Sequence, residues 1–157
     1  MTVTAYIGMG ANLGDAQATL LAATKEISVL PGVANAKLSP LYRSAPVDAG
    51  GPDYINGVLQ VSTTMQPETL LRALQAIENG HGRQRPYRHA PRTLDLDLLL
   101  FGREVRNTDF LTLPHPRMHE RAFVLMPLRD LAPGMMLAQG SLEELLAACP
   151  DQLLSRI

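Results

Sequence analysis

The sequence predicts an α+β fold. One domain spans residues 1–157, with a ferredoxin-like β-α-β-β-α-β core, helices packed on one face of an antiparallel sheet, and a C-terminal helical extension. Three features point there. Stretches with strand periodicity and helix periodicity alternate in that order. Both helical stretches carry a single apolar stripe, as helices laid on a sheet require. A length of 157 residues suits one domain and buries enough surface to fold without staples.

Val3–Met9 alternates as a strand and runs into the glycine-rich stretch Gly8–Gly14. Ala16, Leu20, Ala23, Ile27 and Leu30 then recur at helical spacing, and Pro31-Gly32 stops that helix. Val33–Tyr42 is the second strand. Ser44–Asp53, rich in proline and glycine, is a long loop. The third strand, Tyr54–Thr64, puts Tyr54, Asn56, Val58 and Gln60 on one face and Ile55, Leu59 and Val61 on the other. Pro67 opens a second helix to about Asn79, with Leu70, Leu74 and Ile77 inward and Leu71, Gln75 and Glu78 on an adjacent face. A second loop, Gly80–Pro91, leads into the strand Thr93–Phe101. Arg117–Leu131 is partly helical. Ser141 and Glu144 have the spacing of a capping box opening a short helix that Pro150 ends.

Fourteen basic residues balance fifteen acidic ones, for a formal charge of -1. That balance excludes a general nucleic-acid or membrane-surface binder. The lone Cys149 forms no internal disulfide, and the start lacks a signal peptide, so a cytoplasmic protein is expected. A monomer is expected. Twelve of the basic residues are arginines. The only lysines, Lys25 and Lys37, do not follow a glycine, which excludes a P-loop.

The strongest local signal is Arg92-Thr-Leu-Asp-Leu-Asp-Leu-Leu-Leu-Phe101. On a strand, Asp95 and Asp97 share a face with Leu99 and Phe101, while Leu94, Leu96, Leu98 and Leu100 face the other way. Two adjacent carboxylates in an apolar strand repel each other unless a hard cation sits between them, and Mg²⁺ takes one or two carboxylates plus phosphate oxygens. The competing interpretation is a solvated outer strand with two ordinary charges. Arg83, Arg85, Arg88 and Arg92 stand just upstream; their planar forks match phosphate oxygens, and the loop's glycines and prolines suit a lid. Gly8, Gly10 and Gly14 miss the dinucleotide fingerprint by one place and are assigned to a backbone turn. His115 and His119 flank Pro116 with no H-E-x-x-H, which argues against zinc.

Taken together, these residues resemble one family. Arg88-His-Ala-Pro-Arg-Thr-Leu-Asp-Leu-Asp97 is similar to the signature of the 6-hydroxymethyl-7,8-dihydropterin pyrophosphokinases of the folate pathway. Tyr6–Asp15, Tyr42–Pro46, Asp53–Asn56, Glu78 with Arg83 and Arg85, Leu113–His115 and Arg121–Phe123 match in order, covering essentially the whole chain. The resemblance implies transfer of pyrophosphate from ATP to the pterin hydroxymethyl oxygen, with release of AMP. It implies two Mg²⁺ held by Asp95 and Asp97, and Arg83 and Arg92 as catalytic phosphate stabilisers. It assigns ATP to Arg85, Arg92, His115 and Arg121, with Leu71, Gln75, Glu78, Leu98 and Thr112 on the nucleotide side. The pterin would stack between Tyr54 and Phe123, be read by Asn56, and meet main-chain groups of Ser44, Ala45 and Val47. Three positions depart from the family pattern: His89-Ala90 where Trp-Gly is common, Phe110 where a basic residue is expected, and Pro116 where an aromatic is common.

Two competitors are weighed. A nucleotidyl-transferring enzyme on a similar palm would also use paired aspartates but has no use for Tyr54, Asn56 and Phe123. An RNA-binding module of the same topology needs exposed aromatics where this chain has Asp95 and Asp97.

Overall fold

The computed structural model describes residues 1–45, 53–82 and 93–157. The core elements are β1 (Val3–Ala11), α1 (Ala16–Ser28), β2 (Val33–Leu38), β3 (Tyr42–Ser44), β4 (Tyr54–Thr63), α2 (Pro67–Gly80) and β5 (Asp95–Phe101). A small hairpin, β6 (Arg106–Asn107) and β7 (Thr112–Leu113), precedes α3 (Ala122–Leu131). A second hairpin, β8 (Met136–Leu137) and β9 (Gly140–Ser141), leads into α4 (Leu142–Ala147) and a last strand, β10 (Leu154–Arg156).

The main sheet is antiparallel in the order β10-β3-β4-β1-β5, and β2 also pairs with β4. With β2 and β3 counted as one strand position, this is the predicted ferredoxin-like order. They are not one strand, however. The predicted Val33–Tyr42 breaks at Ser39-Pro40-Leu41. Pro40 has no N–H for the ladder, and the Ser39 hydroxyl enters it instead, accepting from the Val58 N–H (2.9 Å) while the Ser39 N–H donates to the Val58 carbonyl (2.9 Å).

The predicted stripes are the ones buried. Asp15 caps α1 by accepting from the Ala18 N–H (3.1 Å), and Ala16, Leu20, Ala23 and Ile27 face inward. On α2 the buried face is Leu70, Leu74, Ile77 and also Glu78. Both helices cover one sheet face, packing on Ile7, Leu59, Leu94, Leu96 and Leu98.

The two core helices cover one face as expected, and the C-terminal extension supplies α3 and α4, which cover the other. There Val124, Leu125, Leu128, Leu142 and Leu145 bury Val58 and Leu99. The sheet is apolar on both faces, so a single helical layer would have left that second row in water. The C-terminal extension is not purely helical, since β10 returns to pair Leu154–Arg156 with Ser44–Tyr42 along the exposed edge.

A second correction concerns β5. Its register against β1 shifts at Leu99, between the pairs Tyr6↔Leu100 and Ile7↔Leu98. The bulge inverts the alternation beyond it. Phe101 therefore joins the α1/α2 side with Leu94, Leu96 and Leu98, while Leu100 packs toward α3 with Leu99. Asp95, Asp97 and Leu99 share a face as predicted; Phe101 does not.

Among the described residues, no helix is long and apolar enough to cross a membrane.

Candidate active site

Gly8 and Gly10 are not turn residues. Both lie inside β1, and of the three glycines only Gly14 takes a left-handed φ (+62°). The pairing places Gly10 opposite Asn56 on one side and Asp95 on the other; Gly8 lies likewise between Val58 and Asp97. Directly paired residues share a face, so Tyr42, Asn56, Gly10 and Asp95 form one row across four strands on the α3 side. Asn56 and Asp95 are two strand spacings apart, about 10 Å. The glycines give this floor no side chains. A Cβ on Gly10 would lie 3.1 Å from Asn56 Oδ1, and one on Gly8 3.4 Å from Leu99.

Asn56 sits 4% exposed at one end of that row, and its Nδ2 donates to the Ser44 hydroxyl (2.8 Å). The Ser44 side chain thus fixes the plane of the amide, a contact beyond the main-chain role expected of it. Tyr54 and Phe123 are both half-buried on this face, at the start of β4 and in the first turn of α3. Arg121 precedes α3, with its guanidinium 5.6 Å from the Phe123 ring centroid. α3 is tied to the sheet by the Tyr42 hydroxyl, which donates to Asp130. Burial first, then Asp130, push the Tyr42 phenol up to about 12.

At the outer edge of β5 a cleft of about 240 Å³ opens between α2, β5 and the β6–β7 hairpin. Its wall carries Asp97, Asp109 and His115 together with the apolar Leu71, Leu96, Leu98, Phe110, Leu111 and Pro116, and Thr112 completes it. His115 is anchored by its own N–H to the Leu99 carbonyl (2.9 Å), and its Nδ1 accepts from the Arg117 N–H (3.2 Å). In the neutral ring Nε2 therefore carries the proton and donates. Burial lowers the His115 pKa; Asp97 opposes that, and Arg121 and Arg117 add to it. Glu78, 4% exposed, accepts from the Leu96 N–H (2.8 Å), between the two aspartates. That bond ties α2 to the outer edge of the carboxylate-bearing strand.

The donor set fits Mg²⁺. Asp95 and Asp97 share a face, Asp97 is exposed to the cleft, and among the described residues no group of three or more His, Cys, Asp or Glu could enclose a metal. Two carboxylates, with the remaining positions left to water and phosphate oxygens, are what Mg²⁺ takes; a closed cage for zinc would need four protein ligands.

The 7,8-dihydro-6-hydroxymethylpterin-pyrophosphokinase (HPPK) family matches this chain over residues 6–133. The chain belongs to that family. It is 46% identical over 154 residues to the 2-amino-4-hydroxy-6-hydroxymethyldihydropteridine pyrophosphokinase of Pseudomonas aeruginosa, covering 97% of this chain and 95% of that protein. To the Haemophilus influenzae protein of the same name it is 42% identical over 141 residues, covering 89% and 88%. Among solved structures, the Plasmodium falciparum HPPK-DHPS wild type with pteroate superposes with a TM-score of 0.72 at 14% identity. It covers 94% of this chain but only 42% of that longer one, and shows the fold alone. Membership makes the chain a pterin pyrophosphokinase of folate biosynthesis.

Within this HPPK chain the structure brings Asp97, Leu71, Leu98, Thr112 and His115 to one cleft, and sets Asp95 and Asn56 in the row beside it. Tyr54, Ser44 and Phe123 lie on the same sheet face, and Ala45 directly follows β3. Gln75 is half-buried on α2 and does not line the cleft, while Glu78 turns to the β5 backbone. Arg83, Arg85, Arg88, Arg92 and Val47, with His89 and Ala90, lie outside the described residues. Sequence reasoning missed Leu96, Asp109 and Leu111 as cleft residues and Gly8 and Gly10 as the floor. The alternation Gly8-Met9-Gly10 inside an otherwise regular strand was the available signal.

Proposed function

We propose that this enzyme transfers the terminal pyrophosphoryl group of ATP to the hydroxymethyl oxygen of 6-hydroxymethyl-7,8-dihydropterin, with Mg²⁺, giving the pterin diphosphate and AMP. The observation that carries this is the shared row. The amide suited to reading a heterocycle and the paired carboxylates suited to Mg·ATP stand on one sheet face, across a floor without side chains. The relatives' printed names agree on the pterin and the pyrophosphoryl transfer.

In this mechanism Tyr54 and Phe123 hold the flat ring and Asn56, its amide fixed by Ser44, reads the polar edge. Asp95 and Asp97 would hold the Mg²⁺, which when bound supplies charge neutralisation and alignment of the phosphate oxygens. His115 donates from Nε2 toward a phosphate oxygen in the cleft that it lines with Asp97, and Arg121 adds positive charge near it. Arg83, Arg85 and Arg92 complete the phosphate contacts in the same proposal. The hydroxymethyl oxygen bonds to the β-phosphorus, the bond from that phosphorus to the α,β-bridging oxygen breaks, AMP leaves with that oxygen, and the hydroxyl proton passes to solvent. A cytoplasmic monomer without nucleic-acid or membrane partners belongs to the same proposal.

Incubation with ATP, Mg²⁺ and 6-hydroxymethyl-7,8-dihydropterin tests it. AMP and the pterin diphosphate are expected in equal amounts. Release of inorganic pyrophosphate would point to nucleotidyl transfer instead, and no turnover would refute the proposal.

A further inference from the structure

We propose that Gln152 is a positioning residue for Arg121, its side-chain amide clamping the backbone on both sides of that arginine. The inference rests on the pyrophosphokinase reading of the site, in which Arg121 meets phosphate. Gln152 stands in the turn between α4 and β10, 30 residues beyond Ala122, and does not line the cleft. It is exposed, yet both polar atoms of its side chain are engaged. Nε2 donates to the Glu120 carbonyl (2.9 Å), and Oε1 accepts from the Ala122 N–H (2.9 Å). One side chain thus holds the carbonyl before Arg121 and the N–H after it.

A residue's backbone conformation is set by the two peptide planes that flank it. At Arg121 all four polar groups of those planes are bonded. In the first plane the Glu120 carbonyl takes Gln152 Nε2 and, at longer range, the Cys149 thiol (3.6 Å), while the Arg121 N–H donates to the Met118 carbonyl (3.3 Å). In the second, the Arg121 carbonyl accepts from the Val124 and Leu125 N–H groups (3.0 Å each), and the Ala122 N–H goes to Gln152. Arg121 is extended, with φ -120° and ψ 107°. In extended backbone the carbonyl before a residue and the N–H after it point the same way, so one planar amide takes both, as the peptide of a neighbouring strand would. No side chain of Arg121 itself caps α3, and Ala122 is 2% exposed. Without Gln152 the first N–H of the helix would lose its partner where water is a poor substitute.

Arg121 is where such a clamp matters. Its guanidinium lies 5.6 Å from the Phe123 ring centroid, and its charge is felt at His115. Pinning the backbone at its Cα leaves only the side-chain torsions to be ordered when phosphate binds, which lowers the entropy lost on binding. The clamp is itself held. The Gln152 N–H donates to the Cys149 carbonyl (3.2 Å), and two residues on, Leu154 pairs with Ser44 in β3. The chemistry also selects the residue type. At neutral pH only a carboxamide sets a donor and an acceptor side by side on one carbon; a carboxylate accepts only.

The test is equilibrium binding of α,β-methylene-ATP with Mg²⁺ to the wild type, Gln152→Met, Arg121→Ala and the double variant. If loss of the clamp leaves Arg121 correctly placed about a fifth of the time, Gln152→Met weakens binding about 5-fold. The same change should cost nothing further once Arg121 is alanine. Gln152→Glu keeps an acceptor for the Ala122 N–H but has no donor for the Glu120 carbonyl. It should hold Tm within a few degrees of wild type yet bind as weakly as Gln152→Met, and it carries the test alone if Gln152→Met does not fold. Wild-type affinity in Gln152→Met would overturn the inference. So would an equal loss in the Arg121→Ala background, wild-type binding by Arg121→Ala, or recovery of affinity together with Tm in Gln152→Glu, which would leave Gln152 a helix cap and nothing more. Because binding is read without turnover, wild-type enzyme that binds the analogue but forms no AMP from ATP and pterin would sink the proposed reaction, not the clamp.

Discussion

Removing the hydroxyl of Tyr42 tests how α3, and Phe123 with it, is held on the sheet. Tyr42 is 5% exposed, its backbone pairs with Asn56, and its phenol donates to Asp130 in the last turn of α3. A hydrogen bond to a charged group contributes about 1.5–3 kcal/mol. Asp130 is exposed and can be rehydrated, so Tyr42→Phe should cost nearer the low end, about 1–2 kcal/mol. For a domain of this size that is roughly 3–6 °C in Tm.

The pH dependence is more diagnostic. The Tyr42 pKa is raised from 10.0 to about 12, so the folded chain keeps a proton that the unfolded chain has lost between those values. The contribution is therefore fully present below pH 10 and is lost as the pH rises from 10 toward 12. Tyr6, also raised by burial, titrates in both proteins, so the difference curve isolates Tyr42. Urea unfolding of wild type and Tyr42→Phe from pH 8 to 12 should show the two stabilities converging above pH 10. Parallel curves would refute the assigned hydrogen bond and its burial.

Asp97→Ala should lower kcat by at least about 100-fold with the fold intact by circular dichroism, as loss of an electrostatic stabiliser usually does; full activity would remove Asp97 from the metal site. Ser44→Ala frees the Asn56 amide and should raise KM for the dihydropterin about 5-fold, close to 1 kcal/mol, without changing KM for ATP. A wild-type KM in that variant, or no rescue by Ser44→Thr, would show that the hydroxyl does not position Asn56. Gly10→Ala places a Cβ 3.1 Å from Asn56 Oδ1. Weaker pterin binding with a Tm change of only a few degrees is expected, whereas unaltered binding would mean that the floor tolerates a side chain.

Much of the fold was legible because two periodicities dominate local structure. The stripes Ala16–Leu20–Ala23–Ile27 and Leu70–Leu74–Ile77 were readable, as was the alternation that puts Asp95 and Asp97 together, since each depends only on near neighbours in the chain. What failed depended on partners far away. Phe101 changed sides because a bulge at Leu99 is set by pairing with β1, which no window of β5 contains. The C-terminal helices were readable but their place on the second face was not, because the need for them there arises only when Val58 and Leu99 lie side by side.

Of the candidate site, the sequence by itself determined the chemistry: two carboxylates at strand spacing, arginines beside them, and an Asn flanked by an aromatic. Those are properties of residue types and short spacings, and they survive any packing. The tertiary structure alone decided that Gly8 and Gly10 are a floor and not a turn, that Ser44 orients Asn56, that Glu78 faces the β5 backbone, and that Phe110 walls the cleft. Each of these is a relation between segments distant in the chain, fixed by strand register and by the docking of a hairpin on α2, which no single segment specifies without its partner.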